Sequence, residues 1–367
     1  MQLVNQRFPA LDVLRGLTVA LMIVANTPGD WSTVYAPLLH AGWHGFTPTD
    51  LIFPSFLFAV GNALSFALGK YEHLGHGAVL AGLLRRSALI FVLGFLLNWF
   101  PFLSIDGAGQ FAWSPLSQVR IPGVLQRIAL CYLAAALVLH YWQARGALVF
   151  CVIALLGYWA MLVWLGDDSL HGNAPRQLDL LLLGAPHLYH GEGIAFDPEG
   201  ILGTLPATVN VIAGYLAGSY LRRRTGLSRL VLAGLACVAT ALCWNEVLPI
   251  NKKLWTSSYA MLTIGLDLLL LALLTWLIEV RQFMRWTPFF EAFGKNTLFI
   301  YLLSEVLVVI AITVRVDGVT AYAWLHRHLF TGWAPPRLAS LLFAVSFMLL
   351  CALIAHGMDR RKIYIKV

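Results

Sequence analysis

Between two long apolar runs the chain reads Leu39-His40-Ala41-Gly42-Trp43-His44-Gly45-Phe46-Thr47-Pro48-Thr49-Asp50, which sets two imidazoles and a carboxylate at the lip of the lipid. Imidazoles take and release protons near neutral pH, so these residue types at this spacing suit proton transfer. A loop that only joins membrane spans needs no such chemistry. The plainer alternative makes His40 and His44 polar loop residues and Asp50 the cap of the next helix.

Several other polar residues fall within or at the ends of apolar runs. Asn26 closes the first run, and a buried amide must satisfy both donor and acceptor sides, by tying helices together or by meeting a ligand. Arg127 belongs to the outer half of a later run, where leaving it in lipid costs at least ~2.5–3.5 kcal/mol, so it needs a carboxylate, a watery cavity or an anionic ligand. Asp267 and Glu305 are ionisable at membrane depth, which makes them functional positions by default. Asp12 and Arg15, three apart, can pair along one helix face. Arg85 and Arg86 read first as topology determinants and second as a fork for a phosphate.

These groups must be positioned by membrane helices. The 367 residues are 59% hydrophobic and 12% charged, with a mean hydropathy of +0.75; that is too apolar for a soluble globule of this length. The expected fold is an all-α polytopic membrane protein, a bundle of about ten transmembrane helices over 11–25, 51–68, 83–100, 124–142, 148–165, 202–221, 230–244, 257–278, 298–314 and 339–356. Residues 1–367 read as one transmembrane domain. The first run carries Asp12 and Arg15 and is expected to be a retained span rather than a signal peptide.

The net charge of +7 does not point to nucleic acid, because of where the cations sit. Arg7, Arg85, Arg86, the arginines of 222–224 and the basic tail through Lys366 fall on one side, and far fewer fall on the other. By the positive-inside rule both termini are cytoplasmic and the His40 segment faces outward. All five cysteines lie in expected spans, so neither a disulfide framework nor zinc spacing is present. The long outer loop 166–200 holds histidines without metal spacing and ends in Asp197-Pro198-Glu199-Gly200, whose carboxylates suit a helix start. Trp255 and Tyr259 have the positions of an aromatic belt.

Leu11-Asp12-Val13-Leu14-Arg15-Gly16, His40-Ala41-Gly42-Trp43-His44-Gly45, Asp50-Leu51-Ile52-Phe53-Pro54, Asp197-Pro198-Glu199-Gly200 and Asn251-Lys252-Lys253-Leu254-Trp255 occur in this order. Together they resemble the transmembrane acetyltransferases typified by heparan-alpha-glucosaminide N-acetyltransferase, including bacterial members. The resemblance implies acetyl-CoA as donor, no metal, and the amino group of a glucosamine-type sugar or glycan fragment on the outer side as acceptor. It also implies a bacterial inner membrane and a homodimer. No counterpart of the eukaryotic lumenal N-terminal domain is seen, which points away from a polymeric acceptor.

The histidine this family uses in acetyl transfer corresponds to His40, and its asparagine at the end of the preceding span to Asn26. His44 stands where the eukaryotic enzyme has asparagine, which keeps it open as the base. His40 then serves either as general base for the attacking amine or as a transient acetyl carrier. Asp50 would orient or charge-stabilise an imidazole, and Asn26 would donate to the thioester oxygen. Arg85, Arg86, Arg127 and Lys295 are the candidate cations for the CoA nucleotide. Trp43, His44, Asp197, Glu199, Asn251 and Trp255 are the candidates for the sugar. The rival readings are an amino-sugar transporter built on Asp267, Glu305 and Arg127, and a non-catalytic membrane partner of an envelope enzyme.

Overall fold

The structure is a computed structural model describing residues 8–70, 75–105, 111–223 and 226–365. Arg7, Arg224 and Lys366 of the charge pattern lie outside the described residues. All ten expected apolar runs lie on helices. In chain order these are α1 (Pro9–Asn26), α2 (Ile52–Ala67), α3 (His76–Trp99), α4 (Val124–Trp164), α5 (Ala174–Leu182), α6 (Thr204–Arg222), α7 (Ser228–Asn245), α8 (Ser257–Thr275), α9 (Thr287–Lys295), α10 (Thr297–Thr313), α11 (Ala321–Leu329) and α12 (Pro336–Arg360).

Among the described residues seven helices are long and apolar enough to cross a membrane, or eight if the α9–α10 pair, bent by 84°, forms one span. The 41 residues of α4 carry two of the expected runs. At 1.5 Å per residue such a helix is about twice as long as the hydrocarbon core is thick. It is interrupted at Gln143, whose φ of 54° and ψ of −167° are not helical, close to where the sequence places the boundary between the two runs.

Local chemistry explains several helix starts. Proline opens α1, α5, α9 and α12, where its missing N–H costs nothing. The Asn173 side chain accepts from Arg176 N at 2.9 Å ahead of α5, and the Thr320 hydroxyl accepts from Ala323 N at 3.2 Å ahead of α11.

The chain forms two compact units. The first holds residues 8–40, Thr47–Phe56 and 269–365; the second holds Ala41–Phe46 and Leu57–Leu268. In the first, α1 packs on α9, α10 and α12. Gly16 lies against the Phe290 carbonyl and Gly294 against the Asp12 carbonyl, so α1 and α9 approach backbone to backbone. A short hairpin, β1 (Arg315–Val316) with β2 (Val319–Thr320), follows α10 and leads into α11. These two-residue strands are all the sheet this unit has among the described residues.

In the second unit α4 packs on α3 and α6. Gly61 of α2 meets the Val211 carbonyl, and Gly214 of α6 meets the Phe58 carbonyl. Leu148, Val149, Val152, Ile153 and Leu156 of α4 and Leu232, Leu235 and Leu242 of α7 are exposed. That surface suits lipid rather than water, since it pairs apolar side chains with fully hydrogen-bonded helical backbone.

Candidate functional site

In the first unit, His40 Nδ1 lies 2.7 Å from Asp50 Oδ1, with the imidazole 44% exposed and the carboxylate fully buried. A carboxylate only accepts, so the pair places the ring proton on Nδ1 and leaves the lone pair on Nε2. The other carboxylate oxygen, Oδ2, accepts from Thr47 N at 3.0 Å, and Thr47 Oγ1 donates to the Leu39 carbonyl at 2.7 Å. Thr49 Oγ1 donates to the Pro37 carbonyl at 3.0 Å. Thr47-Pro48-Thr49-Asp50 thus holds residues 37–40 in place and orients the imidazole they carry.

Asn26, the last residue of α1, donates through Nδ2 to Glu305 Oε1 of α10 at 3.4 Å. This joins one expected catalytic residue to one of the intramembrane carboxylates. Asn26 also lines a cavity of about 580 Å³ within the first unit. Lys295 donates to both carboxylate oxygens of Asp359 at 2.8 Å.

In the second unit, residues 43–45 dock on the loop between α4 and α5 and the loop between α7 and α8. Trp43 Nε1 donates to the Asp168 carbonyl at 2.7 Å, and Gly45 N donates to the Ile250 carbonyl at 2.8 Å. The Trp43 ring packs on Phe196 with Lys253 Nζ 5.9 Å from its centroid, and Lys253 pairs with Glu192 at 2.6 Å. His44 has Asp168 Oδ2 at 3.5 Å from Nε2 and Asn251 Nδ2 at 3.5 Å from Nδ1.

The family model of the catalytic part of heparan-alpha-glucosaminide N-acetyltransferase matches residues 7–244. The chain belongs to this family. It is 30% identical over 365 residues to heparan-alpha-glucosaminide N-acetyltransferase of Homo sapiens, an alignment covering 82% of this chain and 53% of the human protein. The Mus musculus protein of that name is 28% identical, with 82% of this chain and 54% of the mouse protein covered. The chain therefore spans about half the length of the curated relatives it matches.

The part of the chain matched to the heparan-alpha-glucosaminide N-acetyltransferase family includes His40, Asn26 and Asp50, and also a second polar centre, in which two of the expected sugar residues, Asp197 and Glu199, meet an arginine that the sequence does not single out. Arg120 donates to Asp197 through Nε at 2.8 Å and Nη2 at 2.6 Å, and to Glu199 through Nη2 at 2.6 Å. Burial pushes the Glu199 carboxyl up, but the Arg120 and Arg127 guanidiniums and the Lys252 ammonium more than offset it and hold it below its usual range. The Arg120 guanidinium, in turn, is raised: burial opposes its charge, and the bonds from Asp197 and Glu199 outweigh that. In the sequence, Arg120 was visible only as one of few outer cations.

The remaining expected residues are placed as follows. Arg127 is 1% exposed, donates from Nη2 to the Gly200 carbonyl at 2.8 Å and lies 5.0 Å from the Trp255 ring centroid. Its Nε and Nη1 have no partner among the described residues. Trp255 and Asn251 are buried. The Trp255 indole donates to Asn210 Oδ1 at 3.2 Å, and Asn251 Oδ1 accepts from Leu254 N at 2.9 Å. On α3 Arg85 is exposed, and the Arg86 guanidinium sits 4.9 Å from the Tyr132 ring centroid. The structure thus brings His40 to Asp50, Asn26 to Glu305 and His44 to Asn251, and binds Asp197 and Glu199 through Arg120. It spreads the four CoA candidates over separate contacts. Among the described residues no group of three or more His, Cys, Asp or Glu is placed to hold a metal ion.

Proposed function

We propose that this protein is an acetyl-CoA-dependent N-acetyltransferase that acetylates the amino group of a glucosamine-type sugar or glycan fragment on the outer face of a bacterial inner membrane. Residues 1–367 act as one catalytic domain, and the working form is a homodimer. The observation that carries the reading is the His40–Asp50 pair, a half-exposed imidazole held by a buried carboxylate at 2.7 Å in a segment matched to the family.

In direct transfer the amine nitrogen attacks the thioester carbonyl, the carbon–sulfur bond breaks, and His40 Nε2 takes the amine proton and passes it to the departing thiolate. In the two-step route Nε2 itself forms the bond to the acetyl carbon as the thiolate leaves; the amine then displaces the imidazole, and the proton the amine gives up passes through the freed Nε2 to the thiolate. Both need the lone pair on Nε2, which Asp50 enforces by accepting from Nδ1. Asn26 offers an amide N–H to the carbonyl oxygen as charge develops there. The nucleotide would draw on Arg85, Arg86, Arg127 or Lys295.

The test is release of free CoA by purified protein given acetyl-CoA and glucosamine. His40→Ala abolishes release and His44→Ala retains it; the reverse pattern refutes the assignment of the base. Intact mass measured with acetyl-CoA alone separates the routes, since only the carrier route adds one acetyl mass to the chain. Uptake of unmodified labelled sugar into protein-containing vesicles without acetyl-CoA would favour transport instead.

A further inference from the structure

The cavity that Asn26 lines is walled by Asp30 and Trp31, just beyond α1, and by Tyr322, His326 and Arg327 of α11. Val308 and Ile312 of α10 form an apolar side. The Asp30 carboxylate is fixed: its Oδ1 accepts from Ser32 N at 2.9 Å and Ser32 Oγ at 2.8 Å, and its backbone N donates to Ser340 Oγ at 3.1 Å. Those Ser32 bonds hold the carboxyl below its usual range, so it is ionised at neutral pH. Its Oδ2 receives no hydrogen bond, and neither Asp30 nor Arg327 makes an ion pair among the described residues.

His326 is 9% exposed, and its Nε2 has no hydrogen-bond partner among the described residues. A Cβ at position 29 would stand 2.2 Å from His326 Cδ2, so only glycine there lets the ring seat. Burial pushes the His326 imidazole down, with Asp30 raising and Arg327 lowering it by less. It is a neutral hydrogen-bonding group, not a second cation. Trp31 is 61% exposed, an indole face without a packed cover. Tyr322 is already engaged, donating to the Pro28 carbonyl at 2.9 Å.

One cavity therefore presents a carboxylate and a guanidinium that do not neutralise each other and an open indole, with the neutral His326 imidazole packed behind them. A ligand that satisfies the first three has an ammonium, an anionic group and a flat apolar face. We propose that this cavity binds the acceptor, and that the acceptor is an amino sugar carrying an anionic substituent. Its ammonium meets Asp30, its ring face lies on Trp31 and the anion meets Arg327. The proposal rests on the acetyl-transfer reading for its name as the acceptor site. Asn26, the residue assigned to the thioester oxygen, lines the same cavity.

The test measures binding to the full chain in detergent without acetyl-CoA, using glucosamine, glucosamine 6-phosphate and a glucosamine–uronic acid disaccharide, with KM for each in the transfer assay. Asp30→Asn keeps the Ser32 bonds and is expected to weaken all three by about tenfold or more, because it removes a charged hydrogen bond. Arg327→Gln weakens only the two anionic sugars, and the tighter of these in wild type identifies the substituent. Trp31→Ala loses affinity that Trp31→Phe restores. Unaltered binding in Asp30→Asn and Arg327→Gln overturns the proposal, as does phosphoethanolamine competing as well as glucosamine 6-phosphate, which would mark a lipid-headgroup site. Wild-type protein that binds these sugars through Asp30 yet releases no CoA refutes acetyl transfer and leaves the sugar site standing. Normal CoA release with acceptor KM unmoved by Asp30→Asn refutes the site alone.

Discussion

Asp50 serves His40 and Thr47 at once: Oδ1 holds the imidazole Nδ1 at 2.7 Å, while Oδ2 accepts from Thr47 N at 3.0 Å. Capping the next helix and holding the His40 ring are therefore compatible duties for this residue. One carboxylate fixes both the ring tautomer and the backbone that carries the next helix.

Asp50→Asn follows from that double duty. The amide can still accept from Thr47 N, but an NH2 facing Nδ1 drives the ring proton to Nε2 and blocks the lone pair that both routes need. The expected loss in kcat is about 10²–10⁴-fold, the usual worth of a general base, with the upper end matching a histidine held in the wrong tautomer. KM for acetyl-CoA stays as in wild type, and melting temperature falls only slightly. Steady-state CoA release with a thermal melt in detergent reads both. A variant with wild-type kcat would show that the imidazole does not depend on its carboxylate.

Arg120 supports a structural prediction. It fills both oxygens of the buried Asp197 and one of Glu199, and Asp197 also accepts from Tyr189 N at 3.1 Å and Glu199 N at 3.0 Å. Arg120→Ala strands two carboxylates and is expected to cost about 3–5 kcal/mol. Arg120→Lys, a point charge without the fork, falls between. Denaturation in detergent measures this, and a melt of Arg120→Ala matching wild type would show that the network does not hold the loop ahead of α6.

How far the sequence carries can be judged from these residues. Apolar periodicity finds every long helix, because lipid demands an unbroken run of the right length and little else. It also finds the break in α4, since polar Gln143 and Arg145 separate two such runs. Hydropathy does not say which faces meet. Asn26, which the structure leaves exposed, and Glu305 both stand out in the sequence as polar groups in apolar runs, but their pairing across 279 positions does not. Asp197 and Glu199 read in the sequence as helix-start carboxylates and sugar candidates, and nothing there ties them to Arg120, 77 and 79 positions away. The nine residues of α11 are too short and too mixed in polarity to stand out, so the His326 side of the cavity went unnoticed. Gly29 was its only trace, and a glycine next to a proline reads first as a turn.

Asp179 gives a pH-dependent prediction. It is fully buried, with Oδ1 accepting from Ile201 N at 2.9 Å and Oδ2 without a partner among the described residues. Burial pushes its carboxyl from 3.8 up to about 6, with Asp197 adding to the rise and the Ile201 bond and Arg127 opposing it. A carboxyl raised on folding destabilises the folded state when ionised. The penalty is absent below 3.8, grows between 3.8 and about 6, and is complete above that. Asp179→Asn keeps the Ile201 bond without the charge, so it is expected to be more stable than wild type by on the order of 1–3 kcal/mol at pH 8. The advantage fades as pH falls toward 4. Melts across this range decide it, and a constant difference between pH 5 and pH 8 would refute the raised pKa.

The contact between α2 and α6 rests on two glycines placed reciprocally. A Cβ on Gly61 would stand 1.8 Å from the Val211 carbonyl oxygen, and one on Gly214 would stand 1.9 Å from the Phe58 carbonyl oxygen. The obstacle in each case is helix backbone, which cannot turn aside as a side chain can, so the helices must separate. Gly61→Ala and Gly214→Ala are each expected to cost about 1–3 kcal/mol from overpacking. Because a single separation relieves both clashes, the double variant is expected to lose clearly less than the sum of the two. Thermal unfolding of the four proteins in one detergent measures the coupling. Strictly additive losses would mean that the two clashes are relieved independently, and that α2 and α6 do not move as rigid partners.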